Sequence, residues 1–438
     1  MVPGEVDTIF AAASGFGKAA VCVVRVSGPG SADLVTALAG VLPAPRRLSL
    51  RRLRDPITGE VLDEALVVWM PSPHTFTGED QAELHLHGGL AVRAGVLRCL
   101  TERPGCRPAE PGEFTRRAFL NGRLDLTRVE GLADLIDAET EAQRRQALRQ
   151  LEGELGRQAE TWRERLLDVL ARLEAGLDFA DEADVPEEVD AGAIAEAAAL
   201  ADEIAVVLSD GTRGERLREG FTVVLAGPPN AGKSTLLNAL ARREVAIVSD
   251  VPGTTRDAIE VRCDLDGLPV TLVDTAGLRD SLDPVERIGI ERTYQHLRRA
   301  DLVLWLHSAE ERNEPAAAEP GKLLILTKSD LHPGQPKSTI DIAVSAKTGE
   351  GLPALLARVR AEAEMGLGHG DALVTRERHR IALSRARDAL HRACMPGLAP
   401  ELVAEEVRTG ARALAAVTGR VDVDDVLDRL FSSFCIGK

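Results

Sequence analysis

The sequence predicts a multidomain protein of the α/β plus all-α class. It should have an N-terminal α/β domain, a helical domain split in sequence, and a phosphate-loop (Ras-like) α/β domain inserted between the helical parts. Three observations carry this. Strand-like apolar runs dominate residues 1–118, and apolar residues recur at helical spacing within 119–214 and again within 371–438. Between these, in 215–370, a glycine-rich loop follows a buried-strand pattern and opens a helix.

The elements follow in chain order. Ala20–Val26, Ala65–Met70 and Ala82–His87 read as strands, the last with clean alternation. After Gly88-Gly89 a helix should carry Val92, Val96, Leu97 and Leu100 on one face. Leu148, Leu151, Leu155, Trp162, Leu166, Leu170 and Leu173 continue at helical period, and the acidic stretch from Asp178 to Asp190, with Pro186, separates two helical runs. Helical patterning resumes near Arg376, and Gly366-Leu-Gly368-His-Gly370-Asp371 is suited to be the return hinge of the insertion. Helices at both ends of a nucleotide domain can pass its motion to a host.

The inserted segment holds the chemistry. Gly227-Pro-Pro-Asn-Ala-Gly232-Lys233-Ser234 lies between the apolar run Phe221–Ala226 and the helical run Thr235–Leu240. Such a loop offers backbone N–H groups (those of Asn230, Ala231, Gly232 and Thr235 included) to a phosphate. Lys233 can reach the β/γ oxygens, and Ser234 supplies a Mg²⁺ ligand. Gly253-Thr254-Thr255-Arg256-Asp257 provides hydroxyls for a switch. Asp274-Thr275-Ala276-Gly277 ends a strand, placing a carboxylate beside the metal and an N–H beside the γ-phosphate. Lys322–Thr327 is a further strand, delivering Asp330 to the guanine N1–H and 2-amino group, with the Lys328 stem on the base. Ser345-Ala346-Lys347 brings a backbone N–H to the guanine carbonyl. These motifs, in order and each at a strand end, specify a guanine nucleotide. Thr327 stands where such loops normally carry Asn; its hydroxyl reaches less far than an amide, so base affinity is expected to fall while specificity, resting on Asp330, survives.

Composition sets the remaining bounds. No apolar run is long enough to span a membrane and Met1–Phe10 lacks signal-peptide features, so a cytoplasmic protein is expected. Six scattered cysteines without a C-x-x-C pair suit reduced thiols. A net charge of −16 argues against nucleic-acid binding by the surface as a whole but leaves room for a basic face. Arg46, Arg47, Arg51, Arg52 and Arg54 form one cluster and Arg376, Arg378, Arg380, Arg385 and Arg387 another; each alone reads as solvated charge. At 3% aromatic residues, base-stacking platforms must be scarce.

Several segments together resemble the tRNA-modification GTPase MnmE (TrmE) family along almost the whole chain. They are Asp7-Thr-Ile, Val24–Pro29, Phe76-Thr-Gly-Glu-Asp80 with Glu83, His87-Gly-Gly89, Pro111–Thr115, Arg117–Leu126, Val285–Glu291 and the terminal Cys435-Ile-Gly-Lys438. The resemblance implies a K⁺-activated GTPase that works on C5 of the wobble uridine of certain tRNAs. It implies a 5-formyl- or 5,10-methylene-tetrahydrofolate as one-carbon donor and an FAD flavoprotein of the MnmG/GidA type as partner, in a heterotetramer or larger assembly. The N-terminal domain is then a homodimerising folate-binding domain, with Arg25, Glu83, Arg123 and Lys438 at family folate positions. Read from the residues alone, Arg25 and Glu83 are an ordinary strand-end pair, and His85 and His87 are structural, with no third metal ligand.

Leu278 replaces the water-orienting glutamine of Ras-like enzymes. The resemblance supplies the substitute: K⁺ held by Asn230, Ser249, Val251 and Thr254 when two GTPase domains meet. Thr255 joins Ser234 on Mg²⁺, Glu286 orients water, and Arg256 and Asp257 support the closed loop. Cys435, by the same match, stands near the donor site, where its expected role is in tRNA modification. The chain departs from the family at Ser14-Gly-Phe-Gly17-Lys18, where Pro-Pro-Gly-Arg-Gly is usual; Lys18 keeps a cation but not a planar fork. The rival reading, a GTP-operated assembly factor without one-carbon chemistry, fits the nucleotide motifs equally and is disfavoured by the N-terminal and C-terminal segments.

Overall fold

The computed structural model describes residues 7–15, 17–178, 188–243, 259–274, 300–308, 321–331, 340–368, 372–421, 427, 430–432, 434 and 436–438. By contact the chain forms two compact units, Met1–Ala133 with Thr418–Lys438, and Asp134–Val417.

The first unit is built on a six-stranded sheet of β1 (Thr8–Ala12), β2 (Ala19–Ser27), β3 (Ser49–Arg54), β4 (Val61–Met70), β5 (Gln81–Gly88) and β6 (Cys106–Pro108). The strand order is β3-β4-β5-β2-β1-β6, antiparallel except for β1 against β6. Alternation sorts its faces. Cys22, Val24, Val26, Leu84 and Leu86 join the core with α1 (Ser31–Ala39) and α2 (Leu90–Thr101). At the β1 end, a second cluster is formed by Ile9, Ala11, Ala109 and Phe114, with Phe76 against it. Helix α2 buries Val96, Cys99 and Leu100, while Val92 and Leu97 are only partly covered. The C-terminal residues fall in this unit by contact: Ile436 bridges Pro111, and Phe431 and Phe434 pack with Ala118 of α3 (Glu113–Leu120), with Leu124 and with Val129 of α4 (Leu126–Asp137).

The second unit has two cores. One gathers Leu155, Trp162, Leu166 and Leu173 of α6 (Glu154–Asp178) with Leu200 and Ile204 of α7 (Glu188–Ser209) and Leu383 and Leu390 of the helix Glu377–Ala393. Gly153, at φ 84, separates α6 from α5 (Glu141–Leu151), so Leu148 and Leu155 lie on different helices despite their common period. Thr140 and Gln143 make a reciprocal capping box at the start of α5. The other core surrounds a second six-stranded sheet, whose members are β7 (Phe221–Ala226), β8 (Ile259–Leu265), β9 (Leu268–Asp274), β10 (Leu302–Ser308), β11 (Lys322–Thr327) and β12 (Ile342–Ala343). Its order, β12-β11-β10-β7-β9-β8, is parallel apart from the β8–β9 hairpin. The chain leaves and re-enters the helical part at one spot: a Cβ on Gly214 would lie 2.1 Å from the Val374 carbonyl, and Arg218 Nε donates to Thr375 O at 3.2 Å.

Candidate functional site

Strand order places the phosphate loop. Chain order runs to one side of β7 through β9 and β8 and to the other through β10, β11 and β12, so the carboxyl end of β7 is a topological switch point, where open α/β sheets bind ligands. Gly227 leaves that end at φ 142, and a Cβ there would fall 2.4 Å from the Leu306 carbonyl, so only glycine fits. Asn230 holds a left-handed φ of 64, which Asn tolerates better than most residues. Lys233 Nζ donates to the carbonyls of Gly227 and Pro228 at 2.8 and 2.9 Å, across the loop it belongs to. Burial pushes its ammonium below the usual lysine range, and the nearby Asp274 carboxylate opposes that. Ser234 Oγ donates to Asp274 Oδ2 at 2.5 Å, and Asp274 is fully buried beside Leu225 of β7. A hydroxyl and a carboxylate at a phosphate loop are the hard oxygen donors that Mg²⁺ takes.

Beside the phosphate loop is a cavity of about 210 Å³ lined by Gly232, Thr235, Thr327, Lys328, Asp330 and Ser345–Lys347, among others. The structure thus brings together the residues the sequence assigns to the base. Lys328 adopts a left-handed φ of 55, and the loop is pinned by Ser329 N–H donating to Val344 O at 3.2 Å. Thr327 does something the sequence alone does not reveal. Its buried hydroxyl lies 2.7 Å from Ala231 O in the phosphate loop and 3.3 Å from His307 O, so it ties the base loop to the phosphate loop and does not reach for the base. Its weight therefore falls on loop geometry. Thr327→Val should leave buried carbonyls short of a donor, at about 1–3 kcal/mol. Calorimetry with GDP is expected to show roughly tenfold weaker binding and no change of base preference; full affinity would dissociate Thr327 from the site's construction.

Ser249, Val251, Thr254, Thr255, Arg256, Asp257, Thr275, Ala276, Gly277, Leu278, Glu286 and Cys435 lie outside the described residues.

In the first unit, Arg25 of β2 and Glu83 of β5 are register partners, with Nη2 3.4 Å from Oε1. The guanidinium lies 5.5 Å from the Phe76 ring centre and 5.7 Å from that of Phe114, cation–π distances that fix its plane. Those two aromatics were not singled out by sequence reasoning; the signal was their place within the quoted family segments of a chain poor in aromatics. Glu83 also faces His85 Nε2 at 3.2 Å, whereas His87 Nδ1 sits 2.7 Å from Asp63 Oδ1, so each histidine has its own carboxylate. Among the described residues, no group of three or more His, Cys, Asp or Glu is arranged to hold a metal ion. The last residues approach the same corner. Gly437, at φ 100, has its Cα so close to β1 that a Cβ would meet Ala12 O at 2.7 Å, and Ala12 pairs with Val24 beside Arg25. Arg123 is exposed, its side-chain carbons close to Gly78 in the loop that carries Phe76. In the Ser14–Lys18 loop, Ser14 Oγ accepts from Val23 N–H at 2.8 Å, which anchors the loop to β2. Burial raises the thiols of Cys99, Cys106 and Cys394 above the usual range.

A phosphate loop at a sheet's switch point, a Ser234–Asp274 pair beside it and a neighbouring cavity that includes Asp330 mark a phosphate-loop nucleotide-hydrolase domain, here set into a helical host. Residues 126–435 match the model of the MnmE helical domain, and residues 8–123 that of the GTP-binding protein TrmE N-terminus. The chain belongs to the tRNA modification GTPase MnmE family. The tRNA modification GTPase MnmE of Methylobacterium sp. (strain 4-46) is 65% identical, over 99% of this chain and 100% of that protein. That of Methylorubrum populi is 64% identical over 100% and 99%, and that of Rhodopseudomonas palustris 51% identical over 99% of each. A solved structure, the G domain of the T. maritima FeoB iron transporter, is 26% identical and covers 32% of this chain and 98% of that one, with a TM-score of 0.25; the fold assignment stands on strand order instead.

Proposed function

We propose that this protein is the GTP-hydrolysing component of an enzyme that adds a carboxymethylaminomethyl-type group to C5 of the wobble uridine of certain tRNAs. In this reading it acts as a homodimer with an MnmG/GidA-type FAD flavoprotein, in a heterotetramer or larger complex, in the cytoplasm. Among the described residues no helix is long and apolar enough to cross a membrane. The reading is carried by one juxtaposition in the first unit: a carboxylate and a guanidinium in register, backed by two aromatic rings, with the chain terminus folded against the neighbouring strand.

That corner suits a tetrahydrofolate. A pterin edge presents adjacent N–H donors that the Glu83 carboxylate can accept together, and Arg25, Arg123 and the terminal Lys438 supply cations for the folate's carbonyl and carboxylates. The folate would supply the one-carbon unit. Cys435 is proposed to serve the modification step beside it.

In the GTPase domain, Ser234 and Thr255 would hold Mg²⁺, with Asp274 ordering the metal's surroundings through the Ser234 hydroxyl. Asn230, Ser249, Val251 and Thr254 would hold K⁺. Glu286 would orient water, and Lys233 would oppose the charge developing on the phosphates. The division into 1–118, 119–214, 215–370 and 371–438 is proposed as the functional plan, with the close approach of Gly214 and Val374 in favour of an inserted domain. GTP turnover in matched KCl and NaCl tests the cation's part. Potassium should give a rate roughly tenfold or more higher, and Asn230→Ala should erase the difference; equal rates in both salts would sink the potassium assignment. Wobble nucleosides from cells lacking the protein test the whole reading: the modified uridine should disappear, and its persistence would refute it.

A further inference from the structure

The two arginine clusters that look alike in sequence are unlike in the folded chain. In the later one, Arg376 pairs with Asp134 at 2.5 Å, Arg378 donates to Ala416 O and Val417 O, Arg380 pairs with Glu215 at 2.9 Å, and Arg387 with Asp388 at 2.7 Å. Arg376, Arg378 and Arg380 thus tie separate segments together, whereas Arg387 pairs within its own helix. The earlier cluster lies on and beside β3, the outermost strand of the first sheet, whose far edge has no partner strand among the described residues. Of its five arginines, only Arg52 has a carboxylate partner among the described residues, Glu64. Arg46 donates to His74 O, Arg51 to Leu50 O and Arg54 to Gly59 O, so their charges are left unneutralised. Arg51 Nε is buried without a hydrogen-bond partner. Arg46, Arg47, Arg52 and Arg54 are exposed. The strand spans about 20 Å and carries Arg51, Arg52 and Arg54, with Arg46 and Arg47 just before it, and the chain offers no acid between Arg46 and Asp55.

In a protein of net charge −16, such an uncompensated stripe is an electrostatic exception. Guanidinium forks match phosphate oxygens in geometry as well as in charge. The scarcity of aromatic residues fits a site that reads backbone and not bases. We propose that the β3 edge, with Arg46 and Arg47 leading into it, is a surface on which this protein takes the phosphate backbone of its RNA substrate. The proposal rests on the tRNA-modifying function and assigns that function's polyanion to a particular strand.

The test uses the full-length protein and an in vitro transcribed tRNA, with binding followed by fluorescence anisotropy over a salt series. One variant carries Arg47→Gln, Arg52→Gln and Arg54→Gln; a control removes three charges elsewhere through Arg385→Gln, Arg387→Gln and Arg412→Gln. Each phosphate contact contributes about 0.7–0.9 to the slope of log K against log salt. The edge variant should lose about 2–3 from that slope and bind roughly ten- to a hundredfold more weakly near 0.1 M salt. GTP turnover, thermal midpoint and native mass should be unchanged, and the control should bind as wild type does. If wild type binds tRNA with a salt-dependent slope and the edge variant matches it, the surface is wrong while the function stands. If wild type binds no tRNA, with or without the flavoprotein, the functional reading fails and takes the surface with it. An edge variant that changes its native mass, by dissociating or by self-association through a strand stripped of its protecting charges, would make β3 a chain–chain edge and overturn the proposal.

Discussion

Asp330→Asn is expected to move the protein from GTP towards xanthosine triphosphate. Asp330 is half-buried in the base cavity, on a loop fixed by the left-handed Lys328 and the Ser329–Val344 hydrogen bond. A carboxylate there accepts from both guanine donors, and an amide turned to the same base presents a donor to one of them. Two charge-assisted hydrogen bonds at about 1.5–3 kcal/mol each correspond to two to four decades of GTP affinity. Xanthine carries a carbonyl where guanine has its amino group, so the amide donor regains a partner. The measurement is competition between the two nucleotides for the wild type and the variant. Preserved GTP preference in the variant would remove Asp330 from base recognition.

Glu83→Ala should weaken binding of 5-formyl-tetrahydrofolate roughly 10- to 150-fold, about 1.5–3 kcal/mol, because the substitution removes a charged acceptor from a partly enclosed corner. It also deprives Arg25 and His85 of their neighbour, at 3.4 and 3.2 Å in the folded protein. Glu83→Gln, which retains the shape but not the charge, separates the two effects: it should keep the thermal midpoint and still lose affinity. GTP turnover should be untouched in both variants, since the nucleotide loop and Glu83 belong to different compact units. Calorimetry returning wild-type affinity for Glu83→Ala would leave Glu83 as a strand-pairing residue and no more.

The nucleotide site was legible because its requirements are local. A phosphate loop needs its glycines, Lys233 and Ser234 at fixed spacing between a strand and a helix, and the strands observed at Phe221–Ala226 and Lys322–Thr327 are those the sequence outlines. Strand β3 was not legible. Its Ser-Leu-Arg-Arg-Leu-Arg pattern has too little alternation to announce an edge strand, since an edge needs only one partner and a few buried residues such as Leu53.

By itself, then, the sequence determined the fold class, the family and the guanine-nucleotide loops, all properties written in short stretches whose residues act on what lies next to them. Three features waited for the tertiary structure. Thr327 became a tie between two loops because Ala231, ninety-six positions earlier, came within 2.7 Å of its hydroxyl. The Arg25–Glu83 pair that the sequence suggests became a corner because Phe76, Phe114 and the chain's last residues folded beside it. Two similar arginine runs took different roles because Arg376 and Arg380 were folded against carboxylates of other segments, while in the earlier run only Arg52 found one among the described residues. Distance in space selects each charge's neighbour, and at a few ångströms that neighbour decides what the charge is worth.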